Sequence, residues 1–184
     1  MKSGRRRRAA QTHAYDSRPA LPAESDVDSA AYLDDVPPLV DKAEVESILD
    51  RRVFTVPYRS TVIEGERFDW LNPADPDERG LLVKGEHPEY HEALADPLFE
   101  GELDGHSPRL HLTMHEVIAN QLWDDDPPEV WQAAQRLRDH GMNRHDILHR
   151  IAAVFTEHMH PVLAEHEQFD AEAYRRALND LQLE

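Results

Sequence analysis

The chain has 184 residues, room for one domain of about 100 to 150 residues with tails but not for a multidomain assembly. Lys and Arg total 20 against 37 Asp and Glu, and the resulting net charge of −17 disfavours binding of nucleic acid or an anionic membrane by the body as a whole. Cysteine is absent, which excludes a disulfide scaffold, thiolate metal ligands and cysteine nucleophiles and agrees with a reducing cytosol.

The start, MKSGRRRR, is basic but runs into AAQTHAYDSRPALPAESDVDSA, which lacks the continuous apolar stretch of an export signal, so a cytoplasmic location is expected. Residues 1–38 show neither helical nor strand period and are expected to form a disordered tail, basic and then acidic. Within it Arg5, Arg6, Arg7 and Arg8 offer a weak contact to an anionic partner; a solubilising terminus is the plainer reading.

Residues 39–104 read as one helix plus an extended, wrapping segment. Asp41 with Glu44 fits a capping box, and Val45, Ile48 and Leu49 follow at helical spacing, with an end expected near Asp50. RVFTVPYRSTVIEG carries β-branched and aromatic residues broken by Pro57 and Gly65, suited to short extended pieces or a small hairpin. FDWLNPADPDERG is turn-rich, because Pro73 and Pro76 hold the residues before them away from helix. A short helix is expected to start with Pro88 and run through Tyr90, Ala93 and Leu94.

Residues 105–184 give a four-helix, histidine-rich core. The first helix has Ser107 as cap, Pro108 at its first position and Leu110, Met114, Val117, Ile118 and Leu122 on one stripe, ending at the DDDPP run. The second is expected to be capped by Asp126, to carry Val130, Ala134 and Leu137, and to stop at Gly141. The third is capped by Asn143 with Asp146 three residues on, and runs through Leu148, Ile151, Ala152, Phe155 and Met159 to Pro161. The last is capped by Asp170, with Tyr174, Ala177, Leu178 and Leu181 on its apolar side. The fold class is therefore all-α: a small helical bundle with a disordered N-terminal tail and a short extended, wrapping segment.

Eleven of the 12 histidines lie at or beyond His87, and three pairs are four apart: His87 with His91, His111 with His115, and His145 with His149. Chance placement would give about 0.8 such pairs, so three is a modest excess. Residues four apart on a helix share a face at about 6 Å, a separation at which two imidazoles can hold one ion. HLTMHEVIA from His111 and HDILHRIAA from His145 also share one arrangement, His, two apolar neighbours, His, then Ala, like a local internal repeat. If their helices run parallel in an up-down-up bundle, the four imidazoles meet at one level. His111, His115, His145 and His149 are the candidate metal ligands, with Glu116 or Glu157 as an added ligand or hydrogen-bonded support, and zinc or iron as the ion. The alternative is that each pair is half-buried and contributes packing alone. That alternative is preferred for His87 and His91, since Pro88 starts a helix between them, while His158, His160 and His166 read as surface residues.

At these residues the chain resembles a bacterial family labelled domain of unknown function 1841, over roughly Phe68 to Leu181. The carriers are NPADPDER from Asn72, EHPE from Glu86, SPRLHLTMHEVIANQLWDDDPPEVWQAAQRL from Ser107, and RHDILH from Arg144. The family pattern has Asn where this chain has Ser107; both cap helices well, so the fold is not put in doubt, but a side-chain amide role there is. The resemblance implies no activity, substrate, cofactor or catalytic residue.

Two functions from different classes follow. One is a helical metal-binding protein whose reaction, if it has one, the sequence does not choose. The other is a non-enzymatic acidic adaptor with structural core histidines, whose surface, including Asp124, Asp125 and Asp126, engages a basic protein partner. His145-Asp146 resembles the HD dyad of metal phosphohydrolases, but the further Asp and His positions of that family are not recognisable. With 7 glycines and none in a strand-to-helix fingerprint there is no nucleotide-binding loop, and no serine nucleophile motif or membrane-length apolar run is present.

Overall fold

The protein was analysed as a computed structural model, which describes residues 29–37, 40–103 and 105–182. The expectations for residues 1–28, including the four-arginine cluster, lie outside the described residues. Residues 29–37, expected to belong to the tail, instead carry a helix, α1 (Ser29–Leu33), held by a buried Tyr32 whose hydroxyl donates to the Val56 carbonyl at 2.9 Å.

The next helix, α2 (Lys42–Thr55), starts as its sequence dictates, with Asp41 accepting from the Glu44 amide at 2.9 Å. It continues past Asp50 to Thr55, because Arg51, Arg52 and Thr55 are buried and partnered rather than solvated. Termination comes where Pro57 forces Val56 into extended backbone, φ −142° and ψ 100°. The expected hairpin follows as β1 (Thr61–Ile63) paired antiparallel with β2 (Glu66–Phe68), turning through Glu64 and Gly65, both at positive φ.

The segment read as a wrap contains a further helix, α3 (Pro76–Gly85). Asp75-Pro76 is a turn signal, but the same dipeptide is an N-cap followed by the favoured first helical residue, and Asp75 accepts from the amides of Asp77 and Glu78. A 3-10 turn at Pro88–Tyr90 leads into the single turn of α4 (His91–Leu94).

The core helices are α5 (Pro108–Asp124), α6 (Pro128–Asp139), α7 (Arg144–Glu165) and α8 (Ala171–Asp180). Ser107, Asn143 and Asp170 cap α5, α7 and α8 as their positions require. Two boundaries differ from expectation. Asp126 does not cap α6; the cap position is Pro127, which offers no side-chain acceptor. Pro161 does not end α7, which continues one more turn to Glu165 and closes on His166 at positive φ.

Two apolar clusters result. One packs Ile118 and Leu122 of α5 against Val130, Trp131 and Leu137 of α6, Ile147, Ile151 and Phe155 of α7, and Tyr174 and Leu178 of α8. The other joins Tyr32, Val56, Leu71, Leu82 and Val83 to Ala119 and Trp123 on an adjoining face of α5. The two tryptophans thus anchor helix junctions: Trp131 meets Phe54 at 5.4 Å between ring centres, and the Arg52 and Arg79 guanidinium carbons lie 4.5 and 5.1 Å from the centre of Trp123. No described helix is long and apolar enough to cross a membrane.

Candidate metal centre

Two helices and one turn deliver the histidines. On α5, His111 and His115 stack on one face, their ring centres 4.7 Å apart. On α7, His145 and His149 do the same at 4.2 Å. The two ladders then meet diagonally: His111 lies 4.9 Å from His149, while His115 lies 4.7 Å from His149 and 5.5 Å from His145. All four histidines anticipated from their spacing are thereby brought into one cluster.

A fifth histidine completes it. His87 sits just after α3, in a turn where its own amide donates to the Lys84 carbonyl at 3.1 Å and Pro88 restricts its backbone. Its ring, 1% exposed, is the most enclosed of the set, 4.5 Å from His115, 4.9 Å from His111 and 5.4 Å from His145. The spacing argument treats His87 as a structural partner of His91, yet the two diverge. The His91 ring donates from Nε2 to the Lys84 carbonyl at 3.0 Å and faces the Glu64 amide at 3.4 Å with Nδ1, so its nitrogens serve the end of α3 and the hairpin turn. The signal that could have found His87 is the EHPE string, one of the four that carry the family resemblance.

The carboxylates fall elsewhere than expected. Glu116 packs its carboxylate toward Gly80 of α3, 3.7 Å from where a β-carbon on that glycine would stand, and burial raises its pKa. Glu157 is exposed on α7, about 12 Å along the helix axis from His149. The carboxylate that touches the cluster is Glu89, whose Oε1 lies 3.0 Å from His87 Nδ1. Burial pushes the Glu89 carboxyl up, but the bond to His87 and the nearness of His87 and His111 outweigh it, so its pKa falls below the usual value. An ionised carboxylate only accepts, so His87 Nδ1 carries the hydrogen, and in the neutral ring Nε2 then holds the lone pair.

Burial disfavours positive charge on two of these rings. Burial first, then the proximity of His87 and His149, hold His111 down to about 4, against the opposing pull of Glu89. Burial likewise drives His115 far below the ordinary imidazole range, reinforced by His87, His149, His111 and His145. Neutral imidazole is the form that coordinates metal.

A metal fit can be tested on two observations. One ring nitrogen each from His87, His111 and His115 lie within 4.8 Å of one another. Nitrogens bound to one tetrahedral ion at about 2.0–2.1 Å stand about 3.4 Å apart, so modest ring rotations close the gap. His87 Nε2 and His111 Nε2 are also buried with no hydrogen-bond partner, an arrangement that a purely structural histidine avoids and a metal ligand requires. The residues fit the ion.

Fold and site together define a helical bundle with one small hairpin and five histidines packed where two of its helices meet a turn. Over residues 71–180, well over half of the 184-residue chain, the sequence matches the family described as Domain of unknown function (DUF1841), and the protein belongs to that family. The matched span contains all five clustered histidines. Comparison with curated proteins and with solved structures finds no match.

Proposed function

We propose that the protein binds a divalent transition metal, zinc or iron, through His87, His111 and His115, with His145 and His149 completing or closely flanking the coordination. The observation that carries this reading is the pair of buried ring nitrogens, His87 Nε2 and His111 Nε2, that have no protein partner inside a five-imidazole cluster. A role as an acidic adaptor with structural histidines leaves those two atoms unexplained, since a buried unpaired acceptor costs about 1–3 kcal/mol. Imidazole ligands suit zinc, iron, nickel and copper, and the absence of cysteine removes a thiolate-selective site. An ion with an open coordination position would supply a more acidic water or, as iron, oxygen chemistry.

Burial of His87, His115 and His145 excludes water from the inner side, and Glu89 fixes the His87 tautomer. Competition titration of metal-free, untagged protein with zinc tests the reading. Wild type and the exposed-site control His160→Ala are expected to bind alike, whereas His87→Ala and His115→Ala are expected to bind at least about tenfold more weakly. Equal affinity in all four would overturn it.

A further inference from the structure

His87 is the one member of the cluster that no bundle helix carries, so something else must aim it. The residues on either side of it do so, together with the residue before His145. Arg144, the first residue of α7, donates through Nη1 to both oxygens of Glu86 at 3.0 and 2.8 Å, and both side chains are nearly enclosed, 14% and 13% exposed. The same guanidinium donates from Nε to the Phe54 carbonyl at 2.5 Å and from Nη2 to the Thr55 carbonyl. One side chain therefore ties together the last turn of α2, the end of α3 and the start of α7. Its partners in sequence are cluster members: His87 follows Glu86, His145 follows Arg144, and their rings lie 5.4 Å apart. On the other side of His87, Glu89 accepts from Nδ1 and turns the ring so that Nε2 points away from it, into the cluster.

Resting on the metal-binding reading above, we propose that Glu86, Glu89 and Arg144 are positioning residues that present His87 to the ion, Arg144 and Glu86 fixing its backbone and Glu89 its ring. This assigns a role to EHPE and to the Arg of RHDILH, sequence strings that the ligand set alone does not account for. Only arginine can serve at position 144. It fills two backbone carbonyls and a carboxylate from three nitrogens of one plane, where the single ammonium of lysine cannot span the same three partners. A carboxylate behind a ligating imidazole fixes tautomer and orientation, and its loss typically weakens metal binding by about 10–100-fold.

Zinc affinity of metal-free, untagged full-length protein tests this. Glu86→Gln and Glu89→Gln are each expected to weaken zinc binding about tenfold or more, and Arg144→Lys to do likewise. A merely structural role would lower affinity independently of His87, so the deciding readout is additivity. In a His87→Ala background, Glu86→Gln and Glu89→Gln are expected to change zinc affinity by less than about twofold, because the group they act through is gone. If Arg144→Lys does not fold, the two near-isosteric glutamine variants carry the test. Wild-type zinc binding with glutamine variants within about twofold of wild type, or with undiminished effects in the His87→Ala background, would overturn the proposal while leaving the metal site standing. Wild-type protein that takes up neither zinc nor iron would instead overturn the metal-binding reading and the proposal with it.

Discussion

A buried ring nitrogen is either hydrogen-bonded or available, and the two histidines around the turn after α3 show both kinds. His91 has both nitrogens engaged by the hairpin and the end of α3; His87 has one engaged by Glu89 and one open. The burial that holds the His111 pKa down also shapes the pH response of the metal-free protein. His111 is held at about 4 in the folded state but titrates near 6.5 when unfolded. Between those values the unfolded chain binds more protons than the folded one, so stability falls as pH drops from about 6.5 toward 4 and levels off below. Facing His111 are His87, His106, His115, His149, Tyr90 and Glu89, and the first-order effect of the histidines is to reinforce burial while Glu89 opposes it. Thermal unfolding of chelator-treated protein is expected to show a midpoint that declines from pH 7 to pH 5, with a shallower decline in His111→Gln. A flat midpoint across that window would contradict the neutral, buried assignment. At this scale four of the five clustered histidines were legible in the sequence, because spacing of four on a helix is a local property. His87 was not, because its approach to His115 depends on how the turn after α3 folds back onto the bundle, and no periodicity encodes that. Glu157 was named because it continues the α7 ladder and Glu116 because it flanks the α5 one, whereas the carboxylate at the cluster, Glu89, is two residues from its histidine and outside any helix ladder.

Helix α5 is the element on which both apolar clusters and the histidine cluster depend, and its far end is closed by a side chain from α2. Arg51, 6% exposed, donates from Nη1 to the carbonyls of Leu122 and Trp123, with Asp125 at 3.6 Å from its Nε. A cation at helix C-terminal carbonyls is favourable, and removing it leaves buried acceptors unpaired. Arg51→Ala is expected to lower stability by about 2–3 kcal/mol in urea unfolding, whereas the exposed Lys42→Ala, whose ion pair with Glu46 is a surface i,i+4 contact, is expected to change it by less than about 0.5 kcal/mol. An Arg51→Ala effect as small as that of Lys42→Ala would contradict the capping role. The same buried arginines explain which elements escaped sequence reading. α5, α7 and α8 were legible from caps and apolar stripes, which are local signals. α2 was cut short at Asp50 because Arg51 and Arg52 look like a solvated end, although both are buried beneath α1 and α5. α3 was hidden because Asp-Pro signals a turn and a helix start equally well, and only the packing of Leu82 and Val83 into the second apolar cluster decides between them.

On the scale of the whole molecule, three parts of the chain far apart in sequence meet at the five histidines: the turn after α3, the start of α5 and the start of α7. The Arg144–Glu86 contact ties two of these parts together independently of any ion. An ion held there would cross-link all three, so its binding free energy adds to folding stability in proportion to RT ln(1 + [M]/Kd). The surrounding charge of −17 favours the approach of a cation over an anion, which suits the same role. The measurement that tests the central claim most directly is elemental analysis of untagged protein, purified without added metal, beside the double variant His87→Ala, His115→Ala. The account predicts near-stoichiometric zinc or iron in the wild type and its loss in the variant. Wild-type protein that is folded, free of metal and unable to take up added zinc or iron would contradict it and leave the five histidines as packing alone.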